Sequence, residues 1–408
     1  MGIDAEALRL HKEKQGKIEI RSKVAINSPA DLSLAYSPGV AAPCRAIRQD
    51  ARLVYDYTNK GNTVAVITDG TAVLGLGDIG PEAALPVMEG KAILFKRFAG
   101  LDAVPLALAT TKVEEIVETV VRLAPNFAGI NLEDIAAPRC FAIEEKLRAR
   151  LSIPVFHDDQ HGTAVVCLAA LRNALRVVGK ELSQVKIVIN GAGAAGQAIA
   201  RLLYRAGACR LYVCDRQGIL HPEMPGLNPY QASLAQLTNA WGEAGDLAAA
   251  LRGADVFIGV SAANLVTGAM VRSMAPRPVI FAMANPDPEI SPEEAKRNGA
   301  AVVGTGRSDY PNQINNLLGF PGIFRGLLAV RATKVTTEMM LAAAQAIADL
   351  INRDELTADY IIPNPFDRRV VPAVAWAVGT EALRAGVAAK AITPDQLRVS
   401  LQEQFGPW

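Results

Sequence analysis

The chain has 408 residues, half of them apolar and a fifth charged, enough for two or three domains of about 100–200 residues each. Lys plus Arg (42) nearly balance Asp plus Glu (41), leaving a formal charge of +1. No run of like charge could coat a phosphate backbone and no apolar stretch approaches the ~20 residues of a membrane span, so neither nucleic acid nor a membrane is an expected partner.

The first residues, MGIDAEALRLHKEKQGK, are charged from residue 4 onward and contain no apolar core of a signal peptide, which points to a cytoplasmic location. The first 60 or so residues have a helical and loop-like pattern. Five Cys, at 44, 140, 167, 209 and 214, form no CxxC pair and are expected to be reduced core residues. From residue 63 to 178, β-branched runs alternate with amphipathic ones: TVAVITDG, PEAALPVMEGKAILFKRF, AVPLALA, KVEEIVETVVRLA, FAGINLEDI, a helix near 138–150, PVFHDD, and a long helix after Gly162. This alternation is the α/β pattern. Thr111 followed by Glu114 has the spacing of a capping box that opens a helix.

A second α/β block begins at Val185, with expected strands at 185–190, 209–215, 254–260, 278–284 and 301–306. Apolar runs this continuous belong to parallel strands covered on both faces. Ser291-Pro-Glu-Glu294 reads as a capped helix start. After Phe324 the pattern is mainly helical, interrupted at IIPNPFDRR. The expected fold is α/β: an N-terminal α/β catalytic domain over 1–161, then a doubly wound, parallel-sheet (Rossmann) dinucleotide-binding domain over 162–408 with a helical C-terminal tail from about 330.

Two stretches match GxGxxG. In Gly75-Leu-Gly77-Asp-Ile-Gly80, Asp78 would place a carboxylate where a pyrophosphate should approach, and no strand ending in an acid follows at the required distance. Gly191-Ala-Gly193-Ala194-Ala195-Gly196 lies directly between an expected strand and an expected helix, where its glycines permit a tight turn and close approach of an anion to the helix start. Asp215 closes the next strand, 24 residues after Gly191, where a carboxylate would accept hydrogen bonds from ribose hydroxyls. An acid there favours NAD by repelling a 2′-phosphate, whereas the adjacent Arg216 would pair with that phosphate. NAD is the expected cofactor and NADP the alternative.

Glu133 and Asp134 close one expected strand, and Asp158 and Asp159 close another. Were these strands parallel neighbours, four acids would meet at the sheet edge where ligands bind in open α/β sheets. Such crowding calls for a compensating cation, and carboxylate oxygens suit Mg²⁺ or Mn²⁺; the plainer reading is helix caps and solvated loop acids. His157 and His161 have the spacing of a zinc-protease helix, but His157 ends a strand and Gly162-Thr163 opens the following helix, which argues against zinc. Lys91, in an apolar helical run, is either a solvated face residue or a general base whose pKa is lowered by burial.

Taken together, Tyr36-Ser-Pro-Gly-Val-Ala, Thr68-Asp-Gly-Thr with Gly75-Leu-Gly-Asp-Ile-Gly, Glu89-Gly-Lys91, Asn131-Leu-Glu133-Asp134, Phe156-His-Asp-Asp159-Gln-His-Gly-Thr163, the Gly191–Gly196 loop and Asn285-Pro resemble the malic enzymes, in family order from about residue 33 to 325. The length resembles the short bacterial and archaeal form, ending before the phosphotransacetylase-like extension of some relatives. The resemblance implies metal-dependent oxidative decarboxylation of L-malate to pyruvate and CO₂ with NAD or NADP, decarboxylation of oxaloacetate, and a homo-oligomer, dimer or tetramer. It assigns Glu133, Asp134 and Asp159 to the metal, Lys91 to proton abstraction from the C2 hydroxyl with Asp158 tuning it, and Tyr36 to protonation of the enol. Asn285 and Asn315 would hold substrate and the nicotinamide ribose, Asn316 fitting equally by register, and Tyr36 would be available across a subunit interface. Larger relatives carry an Arg after the TDG that holds a substrate carboxylate; here Thr71-Ala72 stand there, leaving Arg97 or a partner subunit for that task. Two rival readings are a two-domain amino or 2-hydroxy acid dehydrogenase without decarboxylation, which leaves the acids unexplained, and a non-catalytic dinucleotide sensor, which needs only the second domain.

Overall fold

The runs of Val, Ile and Thr expected to form strands do so in two separate sheets. The structure is a computed structural model that describes residues 2–408, and of Leu74 the backbone only. The first sheet contains β1 (Thr63–Thr68), β2 (Asp102–Ala107), β3 (Gly129–Leu132) and β4 (Val155–His157), all parallel in the order β2-β1-β3-β4. Four short helices precede it: α1 (Ile3–Lys14), α2 (Pro29–Ala35), α3 (Ala41–Gln49) and α4 (Val54–Tyr57), none of which has a buried residue. The crossovers are α5 (Pro81–Ala99), α6 (Val113–Leu123) and α7 (Arg139–Arg150). Because Leu132 pairs with His157, the acids that follow β3 and β4 emerge side by side at the carboxyl edge, as the sequence led us to expect.

A single π-turn, Asp158–Gly162, leads into α8 (Thr163–Val178). Helix α8 is apolar nearly all round, as a helix enclosed by protein must be. It belongs to one apolar cluster with Val64 and Val66 of β1, Ile187 and Ile189 of the second sheet, and the C-terminal helices. The expected domain change at 161/162 falls in this π-turn.

The second sheet is β5 (Lys186–Asn190), β6 (Arg210–Asp215), β7 (Gly218–Ile219), β8 (Val256–Gly259), β9 (Val279–Ala282) and β10 (Val302–Thr305), ordered β10-β9-β8-β5-β6-β7. Only β7 runs antiparallel, in a short hairpin with β6. The doubly wound topology reverses direction beside β5, where dinucleotides bind. Helix α9 (Ala194–Arg205) follows β5, and α10 (Pro229–Thr238), α11 (Leu247–Leu251), α12 (Gly268–Arg272) and α13 (Pro292–Arg297) complete the layers. The chain ends in α14 (Phe320–Ala329), α15 (Thr337–Ala348), α16 (Val370–Arg384) and α17 (Pro394–Phe405).

Local expectations fared unevenly. Ser291 caps α13, accepting from the Glu294 N–H at 3.2 Å. Thr111 caps nothing: α6 starts after Lys112 without a side-chain cap, and Thr110 instead donates to Glu115 at 2.5 Å. All five Cys are free, but Cys44 and Cys209 are exposed rather than in the core. Cys44 lies on the exposed side of α3 and Cys209 in the connection just before β6.

Candidate active site

Lys91 sits in the middle of α5, where the helical period turns it inward with Met88, Ala92 and Phe95. Its side chain is only 7% exposed. The ammonium lies 2.5 Å from Asp158 Oδ2 and 2.9 Å from Glu133 Oε1, with its Nζ 4.1 Å from the centroid of the Phe320 ring. Burial alone would lower its pKa, as expected from the sequence, but the two carboxylates outweigh burial and hold it above the ordinary lysine range. The sequence left a solvated face residue or, if buried, an amine kept neutral by desolvation; the structure instead shows a buried ammonium clamped between acids, because its counter-charges come from distant segments.

Glu133, Asp134 and Asp159 bring carboxylate oxygens within 4.8 Å of one another. The Asp134 N–H donates to Asp159 Oδ2 at 2.8 Å, and Asn131 Nδ2 donates to Glu133 Oε2 at 2.8 Å. Asp134 adopts a left-handed φ of 53°, a sparsely populated conformation of the kind that clusters at functional sites. Burial pushes Glu133 up to about 7 and Asp159 up to about 6. Three hard oxygen donors, converging and held out of water, fit a divalent cation such as Mg²⁺ or Mn²⁺.

Asp158 is fully buried and burial pushes it up to about 7. Its Oδ2 accepts from both Lys91 and, at 2.6 Å, Asn316 Nδ2. The π-turn separates the two histidines. His161 Nε2 lies 2.9 Å from Glu144, which also pairs with Arg148 at 2.8 Å. His157 is fully buried and burial pushes it down to about 4, keeping the ring neutral. The zinc spacing is therefore coincidental: no histidine joins the acid cluster among the described residues.

The Gly191–Gly196 loop connects β5 to α9. Gly191 has φ 122°, and a Cβ there would lie 2.6 Å from the Val260 carbonyl, while a Cβ on Gly196 would lie 1.7 Å from the Gly191 carbonyl. A Cβ on Gly193 would meet nothing within 4 Å, and this glycine caps α9 with no side-chain bond. The first N–H groups of α9 are thus open to an anion. The loop floors a cavity of about 1050 Å³ whose far wall carries Asp215 and Arg216. Gly193, Val260, Ser261 and Ala137 also line a second cavity of about 920 Å³ containing Lys91, Glu133, Asp134 and Asp159. A dinucleotide with its ribose at Asp215 would therefore run toward Lys91 across a shared wall.

Asn285, Asn315 and Asn316 line the Lys91 cavity, as do Ala194 and Ala195. The side chain of Asn315 caps a short turn, accepting from the Leu317 N–H at 2.9 Å, whereas Asn316 faces Asp158. Arg97 is exposed and outside the cavity; Lys17, whose Nζ donates to the Pro86 carbonyl at 2.7 Å, is the other Lys or Arg besides Lys91 among its described lining residues. Tyr36 is 68% exposed and does not line the cavity of its own chain. Sequence reasoning quoted Asn131 without giving it a role, and missed Phe320 and Glu289. Glu289 is fully buried and ties the Ser261 N–H (3.0 Å) to the Ala284 N–H (3.1 Å), fixing two loops of the cleft. Its burial among apolar strands after Asn285-Pro was the available signal.

Two family models cover the chain: "Malic enzyme, N-terminal domain" over residues 15–112 and 109–148, and "Malic enzyme, NAD binding domain" over 160–383. The chain is 59% identical over 398 residues to the bifunctional malic/malolactic enzyme of Bacillus subtilis, covering 97% of each. It is 56% identical to the NAD-dependent malic enzyme of Geobacillus stearothermophilus, covering 92% of this chain and 78% of that one. The crystal structure of malic enzyme from Pyrococcus horikoshii superposes with a TM-score of 0.94 at 47% identity, covering 99% of this chain and 96% of that one.

Proposed function

The chain belongs to the malic enzyme family, and from that premise we propose how its cleft works: L-malate is oxidised and decarboxylated to pyruvate and CO₂ as a nicotinamide dinucleotide is reduced. The observation that carries this reading is the Lys91 ammonium between Glu133 and Asp158, beside three convergent carboxylates, in a cavity that adjoins the Gly191–Gly196 loop. Oxaloacetate would be decarboxylated in the same cleft.

Glu133, Asp134 and Asp159 would hold a divalent cation, and the loop with Asp215 and Asn285 would hold the dinucleotide. Bound there, the cation supplies Lewis-acid polarisation and the nicotinamide supplies the hydride acceptor. With the charge of Glu133 and Asp159 taken up in holding the cation, Lys91 would lose much of what keeps it protonated; it would give its proton to Asp158, to which it is bonded, and as the free amine take the proton of the C2 hydroxyl. Asn316 holds Asp158 in line for that transfer. Lys17, at the mouth of the cavity, pairs with the substrate carboxylate distal to Lys91. Asn315 orients the substrate and the nicotinamide ribose. Tyr36 returns a proton to C3 of the enol; its exposure, and that of helices α1 to α4, fit a homo-oligomer in which a second copy brings Tyr36 to the cleft.

NAD is the preferred cofactor on the strength of Asp215, whose Oδ1 accepts from the Gln217 N–H at 2.8 Å and so stays in place at the end of β6. A cytoplasmic location completes the reading; no helix among the described residues is long and apolar enough to cross a membrane. Residues 1–161 would act as the malate and metal domain and 162–408 as the dinucleotide domain. The deciding experiment follows nicotinamide reduction and pyruvate formation from L-malate, with NAD and NADP in parallel, each with Mn²⁺ and with chelator. Metal-dependent reduction matched by pyruvate is expected. Reduction without pyruvate moves the reading to a non-decarboxylating dehydrogenase, and dinucleotide binding without turnover to a sensor.

A further inference from the structure

Outside the catalytic cleft, and sharing no residue with it, a cavity of about 310 Å³ opens between the loop before β1, helix α14 and helix α17. Its lining includes Lys23, Arg325, Arg331 and Lys390 and no Asp or Glu. Two acids stand on its flank. Asp56 pairs with Arg331 at 2.5 Å, and Asp102 pairs with Lys96 at 2.7 Å while accepting from Asn62. Lys23 bonds to a neutral amide, Asn59 Oδ1, at 3.0 Å and shares the charge of Asp102 with Lys96, which leaves Arg325 and Lys390 of the lining without a paired acid. The lining therefore keeps a clear excess of positive charge.

Arg325 is the telling residue. It projects from α14, whose other residues are almost all buried, and its Nη1 donates to Asn62 Oδ1 at 3.0 Å. Its Nε is buried with no partner. Burial, with no carboxylate opposing it, brings the guanidinium down to about 10. A recessed guanidinium with no counter-charge is costly to fold around, whereas its planar fork matches the oxygens of a carboxylate or phosphate. The volume lies at the lower end of the roughly 300–1,000 Å³ found for small-molecule sites, which excludes a dinucleotide. We propose that this cavity is a second binding site, specific for a small dianion carrying phosphate or paired carboxylate oxygens, with Arg325 at its floor and Lys23 and Lys390 at its rim.

The full chain would be titrated calorimetrically with inorganic phosphate and, separately, with succinate, at one ionic strength set with potassium chloride. Saturable binding of either anion is expected, and the tighter of the two identifies the source of the dianion. Arg325→Met and the surface variant Lys390→Met should each weaken it by about tenfold or more, the loss of a charged hydrogen bond, while Lys91→Met, in the catalytic cleft, should leave it within about twofold. Lys390→Met keeps the test decisive should Arg325→Met fail to fold. Absence of saturable heat with both anions overturns the proposal. So does binding that Lys91→Met abolishes or that Lys390→Met leaves untouched.

Discussion

Gly162 and Asp158 stand so close across the π-turn that a methyl group on the glycine would lie 1.8 Å from Asp158 Oδ1 and 2.9 Å from its carboxyl carbon. The carboxylate that holds Lys91 is thus wedged in place by the absence of a side chain. Gly162→Ala must push Asp158 off Lys91 and Asn316. Turnover of malate is expected to fall by about a hundredfold, the scale of a misplaced proton-transfer group, with dinucleotide affinity within a few fold of the parent. A variant with normal turnover would show that Asp158 has no part in the chemistry.

Lys91→Ala removes the only amine in contact with Glu133 and Asp158 among the described residues. Turnover is expected to drop by about 10²–10⁴, the usual contribution of a general base, while dinucleotide binding measured without malate survives. Steady-state kinetics beside fluorescence titration of the reduced dinucleotide separates the two effects. Loss of dinucleotide binding as well would point to a collapsed cleft rather than a missing base.

Glu144 is buried between Arg148 and His161, and burial, which raises its pKa, is outweighed by these partners, which bring it down to about 2. A carboxylate depressed below its ordinary value of 4.5 adds stability above that value and loses it as pH falls toward 2. Glu144→Gln is therefore expected to lower the urea midpoint at pH 7 by an amount equivalent to about 3 kcal/mol, as when a buried pair loses one partner. The gap between parent and variant should narrow below about pH 4.5. A gap that stays constant down to the acid transition would mean the charge of Glu144 contributes nothing.

Arg216 is exposed at the rim of the dinucleotide cavity, next to Asp215. Arg216→Ser should lower kcat/KM with NADP by about tenfold, the weight of one charge-assisted contact, and leave NAD turnover nearly unchanged. Asp215→Ser should do the reverse, relaxing the preference for NAD. Equal effects on both cofactors would place the adenosine ribose elsewhere.

Lys17 offers the cavity its second ammonium, whose Nζ would lie 3.5 Å from a Cβ placed on Gly90 of α5. Lys17→Met is expected to raise KM for malate about tenfold or more, the weight of one charged contact to a substrate carboxylate. An unchanged KM would return the task to a residue of another subunit.

The strand-end acids were legible because parallel strands joined by short turns present their carboxyl ends together, so Glu133 and Asp158 needed only the pairing of Leu132 with His157 to meet. The Gly191–Gly196 loop was legible for the same reason, its strand, turn and helix being contiguous in sequence. The surroundings of Lys91 were not. Phe320 approaches it from more than 220 residues away, and Asn316 reaches the Asp158 that holds it from more than 150; no local pattern announces them. Local sequence left Lys91 open between a solvated face and a buried base, and it did not show which charges would meet a buried ammonium, so the pKa expected on burial had the wrong direction. The π-turn has no periodicity of its own, and β7, two residues long, is too short to stand out from a turn.

The apolar cluster that encloses helix α8 runs through both halves of the chain, taking in Val64 and Val66 of β1 and Ile187 and Ile189 of β5. Relatives with different cofactor preferences invite recombination, in which the dinucleotide half of one is grafted onto the substrate half of another. A crossover at residue 162 would ask Leu168, Leu171 and Leu175, all buried in that cluster, to share it with foreign side chains from β1 and α5. Packing this dense tolerates little mismatch. Chimeras should therefore succeed only when α8 travels with its cluster partners of the first half, Val64, Val66, Met88 and Phe95, so the unit of inheritance here is the cluster rather than the half.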